Sequence, residues 1–185
     1  MALMAVLVSG AGCAEEEAPA ARRPLGDVVS TTTAAETTTT TTTTAPVDPV
    51  RVEVEAAYRN AVRVAEEAAM IPDPDAPELA QWNTGPMLEE WRRRIEELRA
   101  NGQRVTFPAD TVRSIAFRDF ELLSEGFAAV EVCEVDDALV VESGTGAVVN
   151  DRVSTSRNRG VLALGPEGWR LEQRETLERV DGVTC

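Results

Sequence analysis

Few residues in this chain carry chemistry, and their types narrow what it can do. There is one tyrosine, Tyr58, and no histidine, so acid–base work near neutral pH falls to carboxyl groups with displaced pKa values. The missing imidazole removes Ser-His-Asp triads, Cys-His pairs and histidine metal ligands together. Strand-like stretches supply the candidate carboxylates Asp119, Glu121, Glu131, Glu134, Asp136 and Asp137. Tyr58 can donate a hydrogen bond to a developing oxyanion, or serve as an ordinary core aromatic. In "FAAVEVCEVDD" apolar residues flank the carboxylates on both faces, so alternation does not say which ones point inward. Asp136 and Asp137 read as a turn rather than a pocket. "PDPD" offers two ligand oxygens at best and reads as a rigid turn. Nothing calls for a metal or a cofactor, and no catalytic residue is assigned. Trp82, Trp91 and Trp169 suit core or cavity-wall duty; Tyr58, Trp91 and Trp169 are the candidate cavity residues.

Composition excludes other classes. The 185 residues carry a formal charge of -14, and every basic residue is Arg. A surplus of acid disfavours nucleic acid, whose phosphates demand cations, and equally disfavours electrostatic docking on anionic lipid. No run approaches the roughly 18 consecutive apolar residues of a membrane span.

The chain divides into three materials. Residues 1–13 are small and apolar. Residues 14–47 are dominated by Thr, Ala, Glu and Pro, with eight Thr in a row from Thr37 to Thr44. Such a stretch cannot bury enough surface to offset its ordering entropy, so it reads as a disordered tether, and its bias suits O-glycosylation. Residues 48–185 show regular apolar periodicity over a length sufficient for one domain with a real core. The "SGAGC" ending of the first segment resembles the lipobox of bacterial lipoproteins, in which the Cys after a small residue is lipidated and becomes the mature N-terminus. That resemblance assigns the lipid to Cys13. Gly10 stands where the family has an aliphatic residue, and no Lys or Arg precedes the segment, so the true start is expected upstream. With Cys13 lipidated, Cys133 and Cys185 remain. An even pair in an exported chain reads as a disulfide, with two buried free thiols as the alternative.

The elements that must position these residues follow from periodicity. Asp48 and Pro49 open a helix whose apolar face runs through Val54, Ala57, Tyr58, Ala61, Ala65 and Ala68; Pro72 stops it after Ile71. "APELAQWN" suits a short second helix. "PMLEEWRRRIEELRANG" predicts a third, with Leu88, Trp91, Ile95 and Leu98 as its stripe and Glu89–Arg93 and Glu90–Arg94 as i,i+4 pairs. Those acids argue against a phosphate site at the Arg92-Arg93-Arg94 run. After Gly102 the period becomes two. "RVTF" is a short strand, and three hairpins follow: "TVRSIAFRDFELL" with "FAAVEVCEVDD", "ALVVE" with "AVVN", and "VSTSRNRGVLAL" with "WRLEQRETLERV". Helices followed by antiparallel strands mean α+β, with three N-terminal helices on one face of a curved, mostly antiparallel sheet.

On the "AAYRNAVRVAEEA" helix, the "PDPDAPELAQWNTGPMLEEWRRRIEELRANG" segment, the "VEVCEVDD" and "GWRLEQRETLERV" strands and the terminal Cys, residues 48–185 resemble the nuclear transport factor 2-like (cystatin-like cone) superfamily. This superfamily includes ketosteroid isomerases and polyketide cyclases. More closely, the chain is similar to a lipoprotein branch of actinobacteria. The resemblance implies a conical cavity between the first helix and the sheet, dimers through the sheet, and the pairing of Cys133 with Cys185. Three functions fit. One is a lipoprotein on the outer face of the cytoplasmic membrane, held there by its lipid alone, whose cone binds a small apolar ligand or a protein partner without catalysis. Another is an isomerase- or dehydratase-like enzyme using Tyr58 and a strand carboxylate. The last is a purely structural envelope protein. What fills the cavity discriminates among them.

Overall fold

The computed structural model describes residues 48–185; the signal-like segment, Cys13 and the Thr-rich stretch lie outside the described residues. The first helix, α1, spans Pro49–Met70. Asp48 caps it, its carboxylate accepting the Val50 N–H at 2.9 Å. Two proline-initiated helices follow, α2 (Pro77–Trp82) and α3 (Gly85–Ala100). Asn83 joins them to the rest of the domain. Its buried amide donates to the carbonyls of Ala61 and Leu79, and the next residue's N–H is accepted by the Leu171 carbonyl at 2.9 Å. The arginines of the α3 run pair with carboxylates of their own helix. Arg94 meets Glu90, Arg93 meets both Glu90 and Glu97 rather than Glu89, and Glu89 turns instead toward Arg92.

Seven strands complete the domain: β1 (Gln103–Thr106), β2 (Ser114–Ser124), β3 (Phe127–Asp136), β4 (Leu139–Glu142), β5 (Val148–Asn150), β6 (Ser154–Gly165) and β7 (Gly168–Asp181). The three expected hairpins form. The sheet is antiparallel throughout, as expected, and it is built in two parts. Hydrogen bonding separates a four-stranded antiparallel sheet, β2-β3-β6-β7, from a three-stranded one, β1-β4-β5. The chain changes sheets between Asp136 and Leu139, because both edges of β3 are already taken, one by β2 and the other by β6. Asp137 secures that crossing. Its buried carboxylate accepts the Thr111 hydroxyl at 2.8 Å and the Val112 N–H at 2.6 Å.

The architecture is α+β, with the helices ahead of the strands in the chain and packed against them. Two apolar clusters lie along α1. The first joins Val54, Tyr58 and Val62 to Val130, Leu162 and Leu171 of the large sheet. The second joins Ala65, Ala68 and Ala69 to Leu79 and Ile95, with Trp91 and Val105 packed against it. Small side chains on this half of α1 leave room for the other two helices. At one point α1 and β6 press together without spacers. A Cβ on Gly160 would lie 2.5 Å from Cε2 of the Tyr58 ring, so only glycine lets the fully buried ring settle onto the strand.

Cys133 and Cys185 form a disulfide with Cα atoms 6.0 Å apart. The C-terminal tail reaches it by crossing β6. Gly182 donates to the Val153 carbonyl, Thr155 Oγ1 donates to the Gly182 carbonyl, and Thr184 N–H donates back to Thr155 Oγ1.

Candidate functional site

Alternation along β3 decides which carboxylates face the helices. Ala128, Val130 and Val132 enter the core, and Glu134 continues that face. Glu131 and Glu121 take the other side, paired with Arg157 and Arg159 across the strands, and Asp119 is exposed, its carboxylate accepting the Phe120 N–H. Of the six strand carboxylates, Glu134 therefore becomes the centre of a buried network. The Tyr58 hydroxyl donates to its Oε1 at 2.6 Å, Asn158 Nδ2 donates to its Oε2 at 2.9 Å, and the Arg174 guanidinium pairs with the same oxygen. Asn158 is itself held by Ser156 and by the Thr176 hydroxyl, which donates to its Oδ1 at 2.8 Å. Each member is oriented by another, which is how a polar group survives burial without excessive cost.

Burial pushes the Tyr58 phenol well above its ordinary pKa, against the pull of Arg174, and the nearby Glu134 carboxylate pushes it further. The hydroxyl is therefore a fixed donor, and its proton is committed to Glu134. Glu134 in turn has both oxygens engaged.

A cavity of about 540 Å³ opens beside this network, between α1 and α3 on one side and both sheets on the other. Its two halves differ. Trp91, Ile95 and Leu98 of α3 with Val105 and Val140 of the small sheet give one side its apolar surface, with Arg94, Glu97 and Asn101 interspersed. The opposite wall, from the large sheet and the loop before it, carries Glu134, Asp136, Arg113, Arg174 and Arg179, together with Ser156. Glu66 of α1 also lines the cavity and pairs with Arg113. Burial pushes the Glu66 carboxyl up to about 8; Arg113 and Arg174 oppose that shift, while Asp136 and Glu134 add to it. At neutral pH it is largely protonated.

Trp91 stands on the cavity wall as one of the three candidate cavity residues. Tyr58 and Trp169 are instead in the core cluster. Tyr58 sinks into the gap left by Gly160 and reaches the cavity only through Glu134. Trp169 lies opposite Leu164 at the β6–β7 turn, the far end of the sheet from Glu134. Asp136, read from sequence as a turn residue, ends β3 and contributes to the wall. Glu66, Arg113, Asn158 and Arg174 were not distinguishable beforehand. Glu66 sits on α1 between two acidic or small neighbours with no local sign that it turns inward, and the partners of Glu134 come from strands whose pairing is non-local.

No protein-family model matches the chain, and no curated protein matches it. Among solved structures the chain is similar to the intermembrane space region of the chloroplast protein ARC6, with a TM-score of 0.52 and 17% identity over 71% of this chain and 98% of that one. It also aligns with a ketosteroid isomerase-like protein from Erwinia carotovora atroseptica (TM-score 0.45, 14% identity, 71% and 99% covered). A third neighbour is an NTF2-like protein with a cystatin-like fold from Novosphingobium aromaticivorans (TM-score 0.40, 17% identity, 68% and 82% covered). The structural neighbours are thus NTF2-like, ketosteroid isomerase-like and cystatin-like-fold proteins. At these identities the likeness concerns the fold alone.

Proposed function

We propose that this protein is an exported lipoprotein of the cell envelope, anchored through Cys13 and spaced from the membrane by residues 14–47, whose folded domain binds a small, largely apolar molecule without transforming it. The observation that carries this reading is the cavity beside a polar network whose own groups are already engaged. Tyr58 and Glu134, the pair an isomerase-like reaction would need free, are bonded to each other, and Arg174 and Asn158 complete the coordination of the carboxylate. Trp91, Ile95, Leu98, Val105 and Val140 supply apolar surface on the other side, suited to hold a ligand body. Protein taken from its native host should carry a diacylglyceryl-type mass on Cys13 and release a small molecule on organic extraction. An unmodified Cys13 thiol removes the anchor from the proposal. Cavity-filling Ala65→Trp protein that still retains the extracted molecule removes the site.

A second reading, proton transfer within the cavity, has one observation in its favour. Glu66 holds its proton up to about pH 8 and lines the cavity, which suits a general acid or base. Turnover of any substrate abolished by Glu66→Gln, with binding retained, is the result that selects it.

A further inference from the structure

The binding reading leaves the ligand's chemistry open, and the charged wall narrows it. Hydrogen-bonding capacity there is unequally used. Glu134 has spent Oε1 on Tyr58 and Oε2 on Asn158 and Arg174. Glu66 Oε2 lies against Arg113 without completing a hydrogen bond, and Asp136 accepts the Ala138 N–H at Oδ1. The guanidinium groups are less committed. Among the described residues, Arg174 makes its one protein hydrogen bond through Nη2, its buried Nε has no partner, and Arg179 joins no ion pair. The indole N–H of Trp91, across the cavity, is also without a partner. The wall thus offers guanidinium donors on Arg174 and Arg179 beside the acceptor oxygens of Glu66 and Asp136.

Arg174 and Arg179 belong to the same inward face of β7: Arg174 lies opposite Gly160 and Arg179 opposite Ser156, both core-facing positions of β6. Both arginines line the cavity, as do the apolar side chains of Trp91, Ile95, Leu98 and Val140. Three guanidinium groups stand against three carboxyls on the charged side, and the proton on Glu66 leaves the positive charge in excess.

From this division we infer that the cavity takes a monocarboxylate amphiphile, its carboxylate seated on Arg174 and Arg179 and its apolar body laid along the α3 wall. Guanidinium is the natural partner for a carboxylate, which accepts two N–H groups in one plane and offers no competing donor. The inference rests on the binding-module reading, and one matched series separates the two. Decanoate, decanol and decylammonium share a tail and differ only in the head. Binding to the full-length, disulfide-bonded protein is measured by titration calorimetry. Decanoate should bind about tenfold or more tighter than decanol, the margin of one charge-assisted contact, and decylammonium weakest. Arg179→Gln, at an exposed position, should erase most of the preference of decanoate over decanol. Arg174→Lys keeps the charge beside Glu134 and should weaken decanoate through loss of the planar fork. Equal binding of the three probes, or tighter binding of decylammonium, overturns the carboxylate assignment and leaves the binding module standing. A decanoate preference that survives both substitutions overturns the assignment of the head to these arginines. If none of the probes binds, the carboxylate and the module fail together.

Discussion

Glu66 and Arg113 show how a short-range pair and burial compete. Desolvation wins, and the carboxyl keeps its proton up to about pH 8 instead of the ordinary 4.5. The native state then binds a proton that the unfolded chain has released, so this group's contribution is fully present below about pH 4.5 and is lost as pH rises through 8. Glu66→Gln removes the titration. The difference in melting temperature between Glu66→Gln and the parent should therefore widen in favour of the variant from pH 5 to pH 8.5. The groups facing Glu66 are Arg113, Arg174, Asp136 and Glu134, and the variant leaves all of them in place. A constant difference across that range would show that Glu66 stays ionised. The neighbouring network makes a sharper contrast. Glu134→Ala strands the buried Arg174 guanidinium and should cost about 3–5 kcal/mol by denaturant titration. Tyr58→Phe removes one donor of several and should cost about 1.5–3 kcal/mol.

Between elements, two close fits set the domain's tolerance. The approach of α1 to β6 depends on Gly160, whose missing side chain the Tyr58 ring occupies. Gly160→Ala forces the fully buried ring to move and should destabilise by about 1–3 kcal/mol in chemical denaturation. A smaller loss would mean that α1 shifts as a body. The second fit is the tail bridging β6 to reach Cys133. Its ring closes over a sequence separation of 52 residues, worth roughly 4 kcal/mol on the chain-entropy account. Reduction releases residues 182–185 but leaves the β3 ladders to β2 and β6 intact. The reduced protein should unfold at lower denaturant with its far-ultraviolet dichroism unchanged beforehand; early loss of sheet signal would assign the bond a role in forming the sheet.

Over the whole chain, cysteine bookkeeping ties the parts together. Recombinant protein made without lipidation should titrate as one thiol when folded and three after reduction in denaturant, because Cys133 and Cys185 are bonded to each other. Any ligand confined to the native cavity must also raise the melting temperature, by about 2.7 kcal/mol of added stability at a hundred times its dissociation constant. The chain's surplus of acid is not repeated in the cavity lining, where Arg94, Arg113, Arg174 and Arg179 match Glu66, Glu97, Glu134 and Asp136 in number.

Local order was legible from the residues alone. Asp48 and Pro49 announce α1, Pro72 ends it, and the turns at Gly126 and Gly168, both with positive φ, join adjacent strands whose pairing needs no distant partner. The α+β class followed from the same reading, and the resemblance implied the Cys133–Cys185 pair that the structure contains. Partners distant in sequence were not legible. The division into two sheets depends on β1 meeting β4 and β3 meeting β6, pairings that no turn specifies. The choice of Glu134 over Glu131 is equally a tertiary matter, since both sit among apolar neighbours and only the docking of α1 makes one face of β3 the inner one. Glu66, Arg113 and Arg174 converge from a helix, a loop and a strand. Periodicity reports which way a side chain points within its own element, whereas a site is made of directions that meet only when the elements pack.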